Sequence, residues 1–399
     1  MYDLVNFCEI DEDASKAYCA VHNVSAEKNL KDVTQVDFGT IKGVTMLFGG
    51  SPCQDFSLAG RQAGVQCTCN TCGYTYNPME YAINMRKHCP ECNSSDITRT
   101  RSSLLQYFID ALLETKPKIA IYENVEMLLS SKFTSVLKQF QFDLESMGYY
   151  YETICLNCED FNIPQHRKRV FIVFMHNSIA CTFTQNLRYP VVDRLATLHD
   201  YLDFEDTKHI HCSEFVATRF AMYDSKFDKC YCGTTLGAEN TRFGTRDKVC
   251  HENGVVCTLT ASDWKQPRAV LVNTEKYLHF VNGVDKVDPK DIWLINSKEM
   301  FRLMGFSDSD YKKIQDTGIK RNALYRVAGN SISVNVLFYL FKALYLSNPK
   351  IFDNIHVLSL FSGVGAFEKA LTLFLYAVRH ADTDVENIEF PFDYKTRLL

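Results

Sequence analysis

Three short stretches of the chain carry side chains that together could attack an electron-poor ring. The first is Gly49-Gly50-Ser51-Pro52-Cys53-Gln54-Asp55-Phe56-Ser57, in which a thiol follows an apolar run at residues 45–48. The second is Glu123-Asn124-Val125, a carboxyl group at the end of the apolar run 119–122. The third is Gln165-His166-Arg167-Lys168-Arg169, a basic cluster leading into the apolar run 170–174. Taken singly, each has an ordinary explanation as a small buried thiol, a helix cap or a solvated basic surface. Taken together they describe a pocket in which a thiolate adds to a ring, an acid protonates or hydrogen-bonds a ring nitrogen, and guanidinium groups steady a carbonyl oxygen.

A separate cluster has the spacing of a metal site. Cys69 and Cys72 form one Cys-x-x-Cys knuckle and Cys89 and Cys92 another, with sixteen residues between them. Paired knuckles at such a distance suit structural zinc, with Gly73 and Pro90 placed for tight turns and Cys67 and His88 as spare donors. Cys230 and Cys232 form only a Cys-x-Cys pair and are read as free thiols.

These groups need a scaffold that brings them to one edge. Short apolar runs at residues 4–8, 45–48, 119–122, 170–174 and 357–361 are expected to be strands, with helices at 14–22, 104–114, 135–147 and 367–378. That alternation predicts an α/β fold with a doubly wound, mostly parallel sheet. In such sheets ligands gather beyond the carboxyl ends of the strands, where Cys53 and Glu123 would lie. Helical periodicity returns at 298–304 and 333–345. Residues 66–96 interrupt the rhythm as an inserted module, and residues 177–290 lose it altogether, as expected of a separate, loop-rich domain. The expected organisation is therefore a catalytic domain in two parts, 1–176 and 291–399, flanking that smaller domain.

Composition narrows the class. The chain has 399 residues, 46% of them hydrophobic and 23% charged, enough to bury a full core. No run approaches the roughly 20 apolar residues of a membrane span, and Met1-Tyr2-Asp3 lacks the basic and apolar regions of a signal peptide. A cytoplasmic protein with no membrane association is expected, with its sixteen cysteines reduced or metal-bound. The net charge of −5 leaves nucleic-acid binding to local basic clusters.

The motifs resemble those of the DNA cytosine-C5 methyltransferase family. Pro52-Cys53-Gln54, Glu123-Asn124-Val125 and the Gln-x-Arg-x-Arg of residues 165–169 match its catalytic motifs. Residues 298–306 are similar to its ninth motif and Gly329-Asn330-Ser331 to its tenth. The resemblance implies a Rossmann-like methyltransferase fold, S-adenosylmethionine as methyl donor, and double-stranded DNA as partner. The target cytosine would be turned out of the duplex, with Cys53 attacking C6, Glu123 holding N3, and Arg167 and Arg169 orienting the base.

For the methyl donor, Phe361-Ser362-Gly363-Val364-Gly365 resembles the first motif, with Ala366 standing where a further glycine is common. Glu9 and Ile10 look like the second motif, the acid binding ribose hydroxyls, and Asp32 and Val33 like the third, which holds the adenine. Pro52, Leu104, Asn330 and Ser331 complete the implied cofactor site, while Gln54, Ser57, Arg101, Thr258 and Leu259 are the implied DNA contacts.

In the family the glycine motif comes first, whereas here it comes last, so the resemblance implies a circularly permuted chain. It places residues 177–290 as the target-recognition domain and sets the cysteine module inside the catalytic loop, bracing that loop or gripping DNA through Arg86, Lys87, Arg99 and Arg101. A monomer is expected, with a cognate restriction endonuclease acting at the same site as a possible companion. A transfer-RNA methyltransferase and an inactive DNA-binding paralogue are the alternatives. The Cys-Phe-Thr signature of the RNA branch is absent, and the intact Cys53, Glu123, Arg167 and Arg169 argue against inactivity.

Overall fold

Side-chain alternation along the strands divides the interior into two cores. Met46 and Phe48, Ile119 and Ile121, and Phe171, Val173 and Met175 face one of them. Leu47, Ala120 and Tyr122, with Val170, Ile172 and Phe174, face the other. A period of two with both faces apolar is the signature of a sheet covered on both sides by helices. A computed structural model shows that sheet and describes residues 2–52, 66–81, 85–99, 104–206, 209–214, 217, 220–222, 229–234, 247–277, 287–381 and 384–391.

Its strands are β1 (Asp3–Cys8), β2 (Met46–Gly49), β3 (Ile119–Val125), β4 (Tyr149–Asn157), β5 (Lys168–His176) and β6 (His356–Leu360). They lie in the order β1-β6-β2-β3-β5-β4. The first four in that order pair in parallel, and β5 runs antiparallel to both β3 and β4. The α/β class and mostly parallel sheet expected from the sequence are present. The last strand of the chain sits between its first two, with Val357 opposite both Leu4 and Met46.

Helices α1 (Glu12–His22), α7 (Val334–Ser347) and α8 (Ala366–His380) cover one face, and α2 (Leu105–Thr115) and α3 (Thr134–Ser146) the other. Each expected helix is found within two residues of its limits. Three elements escape the sequence reading: β4 and the helices α5 (Asp308–Asp316) and α6 (Arg321–Asn330), which follow α4 (Ser297–Leu303). The edge strand β4 is half-exposed along most of its length, so it lacks the continuous apolar run that marks its neighbours. The helical stretch Arg321–Ser347 is apolar enough to cross a membrane by composition, but its most apolar 18 residues are 89% buried within the protein, as a core helix pair should be.

The irregular region contains a five-stranded sheet built from Ala221–Met222, Tyr231–Thr234, Lys248–His251, Ala269–Leu271 and Ile292–Leu294. Its strands are two to four residues long, too short to show a period. The sheet continues past residue 290, whereas Phe183, Leu198, Tyr201 and Leu202, assigned to that region by sequence, pack in the larger core of the main domain. Glu299 of α4 fastens the junction, accepting from the Asp203 N–H at 2.8 Å and from His209 Nε2 at 3.0 Å.

The inserted module is a three-stranded sheet, Thr75–Tyr76, Cys67–Cys69 and Ile97–Arg99, around a small core of Cys67, Cys69, Tyr76 and Cys89. Arg86 does not extend toward DNA as the sequence suggested. It is 1% exposed, and its guanidinium lies 2.6 Å from Asp143 of α3 and 3.2 Å from Gln106 of α2. Stripping a buried ion of its only counter-charge typically costs ~3–5 kcal/mol. Asp143→Ala should therefore lower unfolding free energy by about that amount in urea titrations, and a loss below about 1 kcal/mol would show the pair to be expendable.

Candidate active site

Because β1, β6, β2 and β3 run in parallel, the residues that follow them emerge along one rim. Glu9 and Ile10 follow β1, Phe361–Gly363 follow β6, Gly50–Pro52 follow β2, and Glu123 and Val125 end β3. All of these except Ser362 line a single cavity of about 360 Å³. Loops near the two ends of the chain thus converge on one space.

The glycine turn at the end of β6 is held from two sides. Glu9, largely buried, accepts the Gly363 N–H at 2.8 Å and the Asp11 N–H at 2.8 Å. Burial raises the Glu9 carboxyl above its usual range, with those backbone donors pulling the other way. On the far side His22 Nε2–H donates to the Val364 carbonyl at 3.1 Å. Burial holds that imidazole down to about 4, so it stays neutral and donates from Nε2. Gly365 has φ +80°, and a Cβ there would lie 2.2 Å from His22 Nε2, so only glycine fits. Gly363, with φ +56°, borders the cavity, and a Cβ there would meet nothing within 4 Å. It is the open side of the turn, where backbone can lie against a ligand. Ala366 begins α8 without strain.

Of the residues expected to hold the methyl donor, Glu9, Ile10, Asp32, Val33, Pro52, Leu104, Asn330, Phe361 and Gly363 line the cavity. Ser331, Ser362 and Val364 line a small adjoining cavity shared with Gly363. Asp32 caps the short turn Val33–Gln35 by accepting from the Thr34 N–H at 2.9 Å. An acid beside the glycine turn, with apolar walls from Val33, Pro52, Leu104 and Phe361, fits a ligand carrying ribose hydroxyls and a flat base.

The deeper wall carries the reactive groups. Glu123 is 13% exposed and lies 3.1 Å from Arg169 Nε. Burial raises its carboxyl, opposed by Arg169 and then by Arg167. A Cβ on Gly50 would come within 2.8 Å of Glu123 Oε2, so glycine is what allows the β2 loop to lie against this acid. That loop is pinned by a triad that sequence reasoning did not single out. Ser51 Oγ meets Tyr122 Oη at 2.6 Å, and Asn124 Nδ2 donates to Tyr122 Oη at 3.0 Å and to the Ser51 carbonyl at 3.3 Å. The chain then enters Cys53, which with Gln54, Ser57 and Arg101 lies outside the described residues.

The two arginines divide their work. Arg169 faces Glu123, whereas Arg167, 3% exposed, donates to the carbonyls of Leu259 at 2.8 Å, Ser331 at 2.6 Å and Gly329 at 3.3 Å. Its guanidinium clamps two segments of backbone, at Leu259 and at residues 329–331, beside the cavity. The expectation that Leu259 touches DNA is corrected here: its side chain is fully buried in the main core, and only its backbone faces the site. Thr258 is partly exposed and donates to the His166 carbonyl at 2.7 Å. Gly329 allows this approach, since a Cβ would lie 2.3 Å from the Thr260 carbonyl carbon.

Arg326 was also missed. It lines the cavity and pairs with Asp11 at 3.0 Å and Asp13 at 2.9 Å, tying α6 to the start of α1. It stands four residues before Asn330, a spacing that shares one helix face, but α6 was not legible as a helix.

The sulfurs of Cys69, Cys72, Cys89 and Cys92 all lie within 4.8 Å of one another, with Cys69–Cys92 at 3.5 Å and Cys72–Cys89 at 3.6 Å. A tetrahedral zinc with bonds of ~2.3 Å places its sulfurs ~3.8 Å apart, so the set fits such an ion. The Cys72 backbone N–H helps hold the Cys69 thiol down to about 6. Cys92 is pushed up to about 12 by desolvation and its thiol neighbours, although the Ser94 N–H pulls the other way.

Comparison with known proteins agrees with this geometry. The family description C-5 cytosine-specific DNA methylase matches residues 1–76 and 92–346. The chain is 28% identical to the orphan methyltransferase M.SPBetaI of Bacillus phage SPbeta, across 86% of this chain and 92% of that protein. It is 26% identical to the type II methyltransferase M.HhaI of Haemophilus parahaemolyticus, across 79% and 80%. Among solved structures, the Entamoeba histolytica methyltransferase EhMeth superposes with a TM-score of 0.56 at 18% identity, over 86% of this chain and 89% of that one. The S. pombe Dnmt2 methyltransferase gives a TM-score of 0.54 at 15% identity, over 86% of this chain and 91% of that one.

Arg169 is the leading influence holding the Glu123 carboxyl down against burial. In Arg169→Gln the Glu123 midpoint, followed by carbon-13 NMR of labelled glutamate, should rise; an unchanged or lower midpoint would break the assigned coupling. Since the folded value already exceeds the unfolded one, this group favours folding at acidic pH, and that contribution is lost as pH rises through the folded midpoint.

Proposed function

The chain belongs to the C-5 cytosine-specific DNA methylase family, an S-adenosylmethionine-dependent class acting on DNA, and from that premise we propose that it methylates C5 of a flipped-out cytosine within a specific duplex sequence through a covalent Cys53 adduct. The observation that carries this reading is the single cavity in which the Pro52 end of the cysteine loop, Glu123, Arg169 and the glycine turn meet.

When bound, S-adenosylmethionine supplies an electrophilic methyl group. Glu9 would hold the ribose hydroxyls and Ile10, Val33, Leu104 and Phe361 would enclose the adenine, with Asp32 capping the turn that carries Val33. The Cys53 thiolate forms a bond to C6 of the cytosine while the C5–C6 π electrons shift toward N3, which takes a proton from Glu123. A buried, raised carboxyl suits that donor role. C5 is then an enamine-like carbon and takes the methyl group, its new bond forming as the carbon–sulfur bond of the donor breaks. Water then takes the C5 proton, the electron pair left behind re-forms the C5–C6 double bond and expels the thiolate, and N3 returns its proton to Glu123. Arg169 orients Glu123 beside the base carbonyl, and Arg167 positions the Leu259 and Ser331 backbones around both ligands.

The chain order is part of the proposal. The matched family region ends at residue 346, and the glycine turn lies beyond it, on the strand between β1 and β2. Both support a circularly permuted arrangement. Zinc is the ion we assign to Cys69, Cys72, Cys89 and Cys92. A cytoplasmic monomer, acting alone or beside a restriction nuclease that shares its site, completes the reading.

Incubation with methyl-labelled S-adenosylmethionine should transfer label to duplex DNA and not to transfer RNA. Cys53→Ala should abolish transfer while cofactor binding, measured by calorimetry, stays within about twofold. Residual methylation by Cys53→Ala, or label entering only RNA, would overturn the reading.

A further inference from the structure

The cysteine module carries three basic residues, Arg86, Lys87 and Arg99, against the acids Glu80, Glu91 and Asp96. Four thiolates around a divalent ion would add two net negative charges. Such a module could grip DNA only if its cations faced outward. Arg86 and Arg99 face the main domain instead, and Lys87, its side chain 63% exposed, leans toward an acid of that domain. Arg86 is buried between Asp143 of α3 and Gln106 of α2. Lys87 lies 3.8 Å from Asp110 of α2, and the Arg99 guanidinium sits over the Tyr107 ring of α2 at 5.9 Å. These contacts take successive turns of one helix. Met79 of the module adds an apolar plug, 2% exposed, to the core beneath α2 and α3.

The module's own chain ends are fastened together. Residues 67–69 pair antiparallel with residues 97–99, Cys67 opposite Arg99 and Cys69 opposite Ile97. Cys69 therefore belongs both to the four-sulfur cluster and to the stem from which Arg99 reaches α2. Cys89 likewise lies in the cluster only three residues from Arg86. Without an ion, a core of a few side chains and two or three short strands has little to hold it, since small folds of this size need a metal or disulfide. Helix α2 in turn borders the proposed cofactor cavity through Leu104 at its start.

We propose that the four-cysteine module is a metal-dependent brace for helix α2, so that zinc occupancy at Cys69, Cys72, Cys89 and Cys92 is coupled to cofactor affinity rather than to DNA affinity. The inference rests on the reading of the 360 Å³ cavity as the cofactor site. It assigns the module a positioning role, and its three cations the task of transmitting that role.

The test uses the full-length protein, zinc-loaded and after removal of metal with a chelator, with metal content measured by mass spectrometry. S-adenosylhomocysteine affinity by calorimetry should fall at least about fivefold on metal removal and return when zinc is restored. Amide exchange in residues 105–115 should accelerate in parallel. Cys72→Ser, at an exposed ligand, should reproduce the metal-free behaviour, and chelation of the unaltered chain answers the same question if that variant does not fold. Lys87→Ala should leave the salt dependence of duplex-DNA binding unchanged, because a phosphate contact would lower its slope by about one. Unaltered cofactor affinity and exchange without metal, or a lower salt slope in Lys87→Ala, would overturn the brace. If the zinc-loaded protein binds no S-adenosylhomocysteine, the cofactor reading fails instead, while metal-dependent exchange in α2 would still uphold the brace.

Discussion

The hydrogen bond from the Gly363 N–H to Glu9 joins residues more than 350 positions apart, and the organisation of the site depends on it. It can form only because β6 lies parallel to β1 and in register with it, Leu360 opposite Cys8, so that both strands end at the same height. Parallel pairing with β2 and β3 brings Gly50 and Glu123 to that rim as well. The chemistry therefore rests on register. A slip of one residue in β6 would turn Leu358 and Leu360 out of one core and move the glycine turn away from its acid.

At this rim and elsewhere, several buried arginines are matched by an acid. Arg169 stands against Glu123, Arg86 against Asp143 and Arg268 against Asp263, each pair largely shielded from water. Arg167 is satisfied differently, by carbonyls from the Leu259, Gly329 and Ser331 segments. A planar guanidinium with several donors in a fixed fork can hold such a junction where lysine could not. One side chain thereby joins the wall of the cavity to the Leu259 end of the irregular region.

The sequence was informative where function and geometry coincide. Turns after buried strands must carry particular residues, so Gly50, Glu123 and the residues 361–365 were visible as a group before any strand was paired. The two-core sheet was likewise legible, because runs such as residues 170–174 are apolar on both faces. What stayed hidden depends on where side chains point. Arg167 and Arg169 have the same spacing and charge in the sequence, yet one binds backbone and the other a carboxylate. Leu259 sits in a motif that suggests contact with DNA, although its side chain fills the core. Arg86 was counted as a surface cation because nothing in its neighbourhood announces Asp143, more than fifty positions away. The short strands of the irregular region were invisible because two to four residues cannot display a period.

The place of β6 also constrains how the fold is acquired. The pairs Leu4–Val357 and Met46–Val357 close loops of some hundreds of residues, so this side of the sheet is among the least local parts of the molecule. Until residues 356–360 are in place, β1 and β2 each offer a bare edge where β6 should be. During synthesis, β1 leaves the ribosome some hundreds of residues ahead of its partner, and an unpaired apolar edge in that interval invites association with other chains. Completion of this sheet is thus a late event, and anything that shortens the chain before residue 356 removes an interior strand and leaves β1 with no partner to join it to β2.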